Sequence, residues 1–132
     1  MSHNRRELSE YRIIQAKDYL QDARDLCNNE SYKSSINRSY YAPFCAIRSI
    51  LAIEGVDFRR HKDVIAHFNK TYVKTEIFPR ELGGRIADLQ NIRDKCDYDD
   101  FYIASKEKAQ EQIETAESVV YYILTYLANF QT

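Results

Sequence analysis

The sequence predicts an all-α protein, an up-and-down bundle of four to five helices, and three observations carry that prediction. Glycine and proline are scarce, three and two among 132 residues, too few for the turns of a sheet protein. Helix formers run through most of the length, with 44% hydrophobic and 30% charged side chains. Most directly, apolar residues recur at intervals of three and four in several long stretches, the period of one helix face. A single domain over 1–132 is expected, burying roughly two-thirds of the surface of its unfolded chain.

The first helix is predicted from near Arg5 to Cys27, with Ile13, Ala16, Leu20, Ala23 and Cys27 as its seam. Asn28 and Asn29 should end it, because Asn tolerates left-handed backbone, and Ser31 or Ser34 should cap the second helix. The central helix is read over Ile36–Ile53, where Ile36, Tyr40, Phe44, Ile47 and Leu51 share a face. Pro43 lies inside it and lacks the N–H that would reach Ser39, so a local bend is expected there. Gly55 should close this helix, and residues 56–60 lead to a third from about His61 to Val73 with Val64, Ile65, Phe68 and Tyr72 inward. After Phe78-Pro79 a fourth helix carries Leu82, Ile86, Leu89 and Ile92, with Gly83-Gly84 weakening its start. The acidic and aromatic run 96–102 reads as a loop. Ser105 should cap a last helix with Ala109, Ile113, Ala116, Val120, Ile123, Leu127 and Phe130 in alternating fours and threes.

Composition excludes several classes. No apolar run approaches the ~18 residues of a membrane span, and the first ten residues lack the apolar core of a signal peptide, so a cytoplasmic protein without membrane contact is expected. Cys27, Cys45 and Cys96 are odd in number and unpaired in spacing, which argues against a disulfide framework or structural zinc. His61 and His67 are six apart, not the i, i+4 spacing of a helical metal pair. No phosphate-loop, nucleophile-elbow or zinc-protease motif is present, and neither metal nor cofactor is indicated. Net charge is −1, unevenly spread: residues 1–80 carry 14 Lys+Arg and 10 Asp+Glu, residues 81–132 carry 5 and 10. Such an asymmetry can orient a partner.

Polar residues inside apolar helices are the functional candidates, because each needs a partner for its polar atoms. On the central helix these are Asn37, Arg38, Tyr41 and Arg48. Arg38 reads first as half of an ion pair with an acid on another helix, with Asn37 tying down a loop; the competing reading makes Arg38 an anion or nucleotide contact. Arg59-Arg60-His61-Lys62, with Lys70, Lys74 and Tyr72, reads as a solvated helix start or as a phosphate and base contact. Arg93, Asp97 and Tyr98 pose the same choice between an i, i+4 pair and a catalytic group.

Taken in order, NRSYYAPFCAIRSILAIEG, HKDVIAHFNKTYVKT, RDKCDYDD and SKEKAQEQIETAESVV resemble the small stand-alone HEPN-domain proteins of bacteria and archaea. The matching positions are Asn37, Arg38, Tyr40, Tyr41, Ala42 and Phe44, then His61, Ile65 and Phe68, then Arg93, Asp97 and Tyr98. The resemblance implies a four- or five-helix bundle, often a homodimer, in a superfamily of RNA-cleaving toxins and partners of minimal nucleotidyltransferases. It implies for its ribonucleases a metal-independent reaction in which an Arg holds the scissile phosphate and a His four to six residues later moves the 2′-hydroxyl proton. Here Asp97 stands where that His belongs, and residues 94–100 contain no His. The expectation is therefore a nucleotide- or RNA-binding or partner module in a toxin-antitoxin-like pair, with Asn37, Arg38, Tyr41 and His61 as ligand contacts. The alternative is a ribonuclease using Arg93 with Asp97 and Tyr98 across a dimer.

Overall fold

A computed structural model describes residues 3–130. Its elements are α1 (His3–Asn28), α2 (Tyr32–Glu54), α3 (His61–Phe68) running into a π-helical turn (Asn69–Val73), α4 (Glu81–Tyr98) and α5 (Lys106–Phe130). Among the described residues there is no strand, and no helix is long and apolar enough to cross a membrane. The all-α bundle is what the periodicity predicts.

Helix α2 packs against α1, α3, α4 and α5. Its predicted face, Ile36, Tyr40, Phe44, Ile47 and Leu51, is buried throughout. The seams of α1 and α5 meet it: Ala16, Leu20, Ala23 and Cys27 are buried, Ile13 is half-buried, and Ala109, Ile113, Ala116, Val120, Ile123 and Leu127 are buried. Phe130, the last position of that seam, lies outside the described side chains. Val64, Ile65, Phe68 and Tyr72 from α3 and its π turn, with Leu82, Ile86, Leu89 and Ile92 from α4, complete the core. The three cysteines are free and buried. Helix α2 runs unbroken through Pro43.

Several expectations about helix ends are corrected. The run 96–102 is not all loop, because α4 continues to Tyr98. Cys96 is buried four residues beyond Ile92, so the apolar period persists under an acidic, aromatic composition that hides it. Helix α1 ends on a left-handed residue, but that residue is Glu30, at φ 65°, and not an Asn. Ser31 N–H reaches Leu26 O at 2.8 Å and Glu30 N–H reaches Cys27 O at 3.0 Å, the paired bonds of a Schellman ending. Neither Ser31 nor Ser34 caps α2 through its side chain: Ser31 holds the cap position without a side-chain bond, and Ser34 already lies inside the helix.

Two predicted ends hold. Gly55 closes α2 at φ 80°, with Gly55 N–H on Ala52 O at 3.1 Å and Val56 N–H on Leu51 O at 3.1 Å. Ser105 Oγ accepts the N–H of Lys108 at 3.0 Å and caps α5.

The two left-handed helix ends give opposite predictions. Gly55→Ala should destabilise the fold by about 1–2 kcal/mol, because an L side chain is strained in that conformation; its Cβ would also run into the Arg5 guanidinium. Glu30→Gly relieves the same strain and should gain up to about 1 kcal/mol against glycine's entropy. Chemical denaturation of the two variants checks both signs.

Candidate functional site

One turn of α2 sets Tyr40, Tyr41 and Phe44 side by side, and two other elements converge on it: α4 brings Arg93, and α3 brings its first residue, His61. The Arg93 guanidinium carbon lies 4.5 Å from the Tyr40 ring centre and 5.8 Å from that of Tyr41, within the range of cation–π attraction. Its Nη1 donates to Tyr41 Oη at 3.3 Å. Asp94 Oδ1 accepts from Nη2 at 2.6 Å and from Nε at 3.2 Å, while Asp97 Oδ2 stands farther off at 3.8 Å. Burial works against the charge of Arg93, and the hydrogen bond and charge of Asp94 together with Tyr40 and Tyr41 outweigh it, so the guanidinium holds its proton more firmly than usual.

His61 lies at the rim of this cluster. Its ring centre is 4.1 Å from that of Phe44, 5.9 Å from Tyr41 and 6.3 Å from Tyr40. Nδ1 is 3.5 Å from Tyr40 Oη, the outer limit of a hydrogen bond. Desolvation, then the positive charges of Arg93 and Arg48, hold the imidazole below the usual histidine pKa, so it is neutral at pH 7. Burial pushes the Tyr40 hydroxyl up to about 12, which keeps it a neutral phenol.

On its other side His61 lines an open recess of about 460 Å³ shared with Phe44, Arg48, Asp57, Phe58 and Arg59. Asp57 is neutralised within the wall: Arg48 Nη2 is 3.2 Å and Arg12 Nη2 3.6 Å from Oδ2. The nearly buried Arg12 also donates to Arg48 O at 2.9 Å, which fixes the backbone behind the recess. Arg48 Nε is buried without a partner. The recess thus combines two guanidinium groups, two aromatic rings and a neutral imidazole, a set suited to a phosphate beside a base.

The predicted residues separate in space. Tyr41, His61 and Arg93 come together, joined by Tyr40 and Phe44. Arg38 donates from Nη1 to Asn37 Oδ1 at 2.6 Å and has no carboxylate partner among the described residues, so the expected ion pair with another helix is not formed. Asn37 likewise receives its neighbour and does not tie down a loop. Tyr98 is 79% exposed, away from the cluster. Tyr72 cannot stack a base, since its ring is buried beside Phe68, Phe78 and Tyr126. Its hydroxyl donates to Glu54, whose other oxygen meets His67 Nε2 at 3.0 Å. Arg48 and Arg59 are recess residues that the sequence marks as candidates, whereas Phe58 carries no signal of its own. Tyr41, Phe44 and Arg48 follow one another at three and four, so a half-exposed α2 face was the available signal.

An all-α bundle with an arginine enclosed by tyrosines and a cationic, aromatic recess beside it defines the class. Comparison with known proteins then places it: residues 9–125 match the HEPN domain. A Thermotoga maritima protein named "UPF0332 protein" is 32% identical over 115 residues, 87% of each chain. Two Methanocaldococcus jannaschii proteins bear the name "Putative toxin", one 31% identical over 106 residues, covering 80% of this chain and 71% of its own, the other 32% identical over 107 residues, covering 80% and 73%. The chain belongs to the HEPN family.

Two measurements probe the cluster. His61 should titrate as a group whose folded pKa lies below its unfolded value of about 6.5. The unfolded chain then binds the extra proton first, so stability falls as pH drops through that range. His61→Gln should flatten that part of the stability-versus-pH curve. Tyr41→Phe removes the acceptor of Arg93 Nη1 and should cost about 0.5–1.5 kcal/mol in denaturant unfolding.

Proposed function

We propose that this chain is a toxin-like HEPN module that binds RNA or a nucleotide in the recess beside His61. The observation that carries this reading is the pairing of Arg48 and Arg59 with the rings of Phe44 and Phe58 around one opening. A guanidinium suits a phosphate and a ring suits a base, and neither depends on sequence readout. The relatives named as toxins, and the resemblance to nucleotidyltransferase-associated HEPN proteins, support a role in a two-component pair with a separately encoded minimal nucleotidyltransferase.

A ribonuclease built on Arg93, Asp97 and Tyr98 has less support within one protomer. Arg93 is committed to Asp94 and Tyr40, and Tyr98 stands in solvent. A second reading is favoured by the position of His61: a neutral imidazole on the wall of a cationic recess is a proton acceptor beside a phosphate site. In that reaction the 2′-hydroxyl proton passes to His61, the 2′-oxygen attacks phosphorus, the bond to the 5′-oxygen breaks and that oxygen takes a proton from water.

Fluorescence anisotropy with a single-stranded RNA tests the binding. Arg59→Ala should weaken it and lower the log–log salt slope by about 0.7, and Phe58→Ala should cost about 1–3 kcal/mol of binding. Unchanged affinity in both variants would sink the proposal. Incubation with RNA in chelator tests the second reading: cleavage by wild type that is lost in His61→Gln, with binding kept, makes the chain an enzyme.

A further inference from the structure

The loop between α2 and α3 carries three of the recess residues, Asp57, Phe58 and Arg59. A ring on a loop receives a base well only if its orientation is set beforehand, because ordering it at the moment of binding costs affinity. Asp57 is fixed by Arg48 and Arg12. Phe58 is 37% exposed, and the ring that meets it is that of His67, 5.2 Å away between centres and tilted by 43°. His67 does not line the recess; it lies against the ring that does.

His67 is itself held. Its Nε2 meets Glu54 Oε2 at 3.0 Å, and the other Glu54 oxygen accepts the Tyr72 hydroxyl. Glu54 is the last residue of α2, so the grip starts from the helix and not from the loop. Tyr72 is 6% exposed among Phe68, Phe78 and Tyr126. Burial, then the bond to Glu54, push its hydroxyl pKa up, so it stays a donor. The backbone is shaped for this grip. His67 and Tyr72 are five residues apart, which on an α-helix turns them about 140° away from each other. The π-helical turn Asn69–Val73, closed by Lys74 N–H on Asn69 O at 2.8 Å, widens the coil there and brings Tyr72 back toward the side of His67. A rare backbone conformation thus lets one carboxylate take both.

We infer that His67 is a positioning residue of the recess: clamped through Glu54 to Tyr72, its imidazole sets the Phe58 ring in the attitude that receives a base, and it touches no ligand itself. This rests on the reading of the recess as a site for a phosphate beside a base, and it adds how the ring of that site is held. A grip that served only to join the end of α2 to α3 would leave Phe58 indifferent to His67, so the two roles separate in what Phe58 experiences.

The sequence contains no Trp, so Phe58→Trp puts a single fluorophore on the recess wall of the full chain. His67→Ala in that background should open the indole to quenching by acrylamide, and His67→Phe, which returns a ring to the same place, should reverse most of the change. An indole equally accessible in all three proteins overturns the positioning, whatever RNA does. Anisotropy with single-stranded RNA reads the consequence for binding. His67→Ala should weaken it by about 5-fold, the low end of what one base stacked on a ring contributes, and His67→Phe should recover most of that loss. In the Phe58→Ala background His67→Ala should have no further effect, whereas with Arg59→Ala its effect should add in full. A loss that adds in full to Phe58→Ala overturns the inference. So does unmoved affinity in a folded but less stable His67→Ala, the mark of a grip that only joins helices. RNA affinity untouched by Phe58→Ala itself ends the recess reading, and the inference with it, even where acrylamide shows the ring held by His67.

Discussion

The arrangement depends on one enclosed charge. The side chain of Arg93 is 13% exposed, and a guanidinium removed from water must recover hydrogen bonds and a counter-charge from the protein. Asp94 supplies both, on adjacent backbone, and Tyr40 supplies the ring beneath. Tyr41 takes one more N–H. These demands explain why α2 carries two consecutive tyrosines where its apolar period asks for one: Tyr40 points to the core and Tyr41 points along the seam with α4. Losing the Tyr41 hydroxyl removes one neutral hydrogen bond, about 0.5–1.5 kcal/mol, and losing Asp94 would remove the counter-charge as well, so the cluster is part of the fold as well as a site.

The same charge acts on a residue that it does not touch. His61 shares the Tyr40 ring with Arg93 on one side and faces Arg48 on the other, and both cations add to the desolvation that chiefly disfavours its proton. The imidazole therefore stays neutral beside a recess that attracts anions. An anion bound there would offset the two arginines and raise the pKa of His61 again, so occupancy and protonation are linked. Arg93 does not line the recess; its influence on it passes through His61 and the rings of Tyr40 and Phe44.

Helix identity and nearly every core position were legible, because a face of apolar residues at threes and fours has few other solutions. Helix ends were less so. Gly55 and Ser105 signalled theirs by residue type, but Glu30 takes a left-handed conformation that only the surrounding Schellman bonds impose, and nothing in its chemistry announces it. The last turn of α4 was obscured because Cys96, its sole buried residue, sits in acidic company. The site was half legible. Tyr41, His61 and Arg93 stood out as polar groups in apolar helices, yet their convergence depends on how α3 and α4 cross α2. Arg38 has the same local signature as Arg93 and ends up bonded to its own neighbour. Arg48 and Arg59 stood out as cations, but their meeting with Phe58 around one recess belongs to the fold and not to any segment.

The uneven charge of the chain acquires a spatial meaning in the bundle. Helices α2 and α4 run antiparallel: Ile86 and Leu89 line one gap with Pro43 and Ile47, while Ile92 and Cys96 share a core cluster with Ile36, earlier on α2. The start of α2 and the end of α4 therefore share one pole, where the acidic, aromatic connection lies. The cations of residues 48–62 lie toward the opposite pole. A molecule with opposite signs toward its two ends has a preferred orientation for any charged partner. Solvation alone would be served by charges of both signs mixed over the whole surface. Concentrating them gives the molecule two chemically distinct surfaces, an acidic one with uncovered rings and a cationic one with recessed rings.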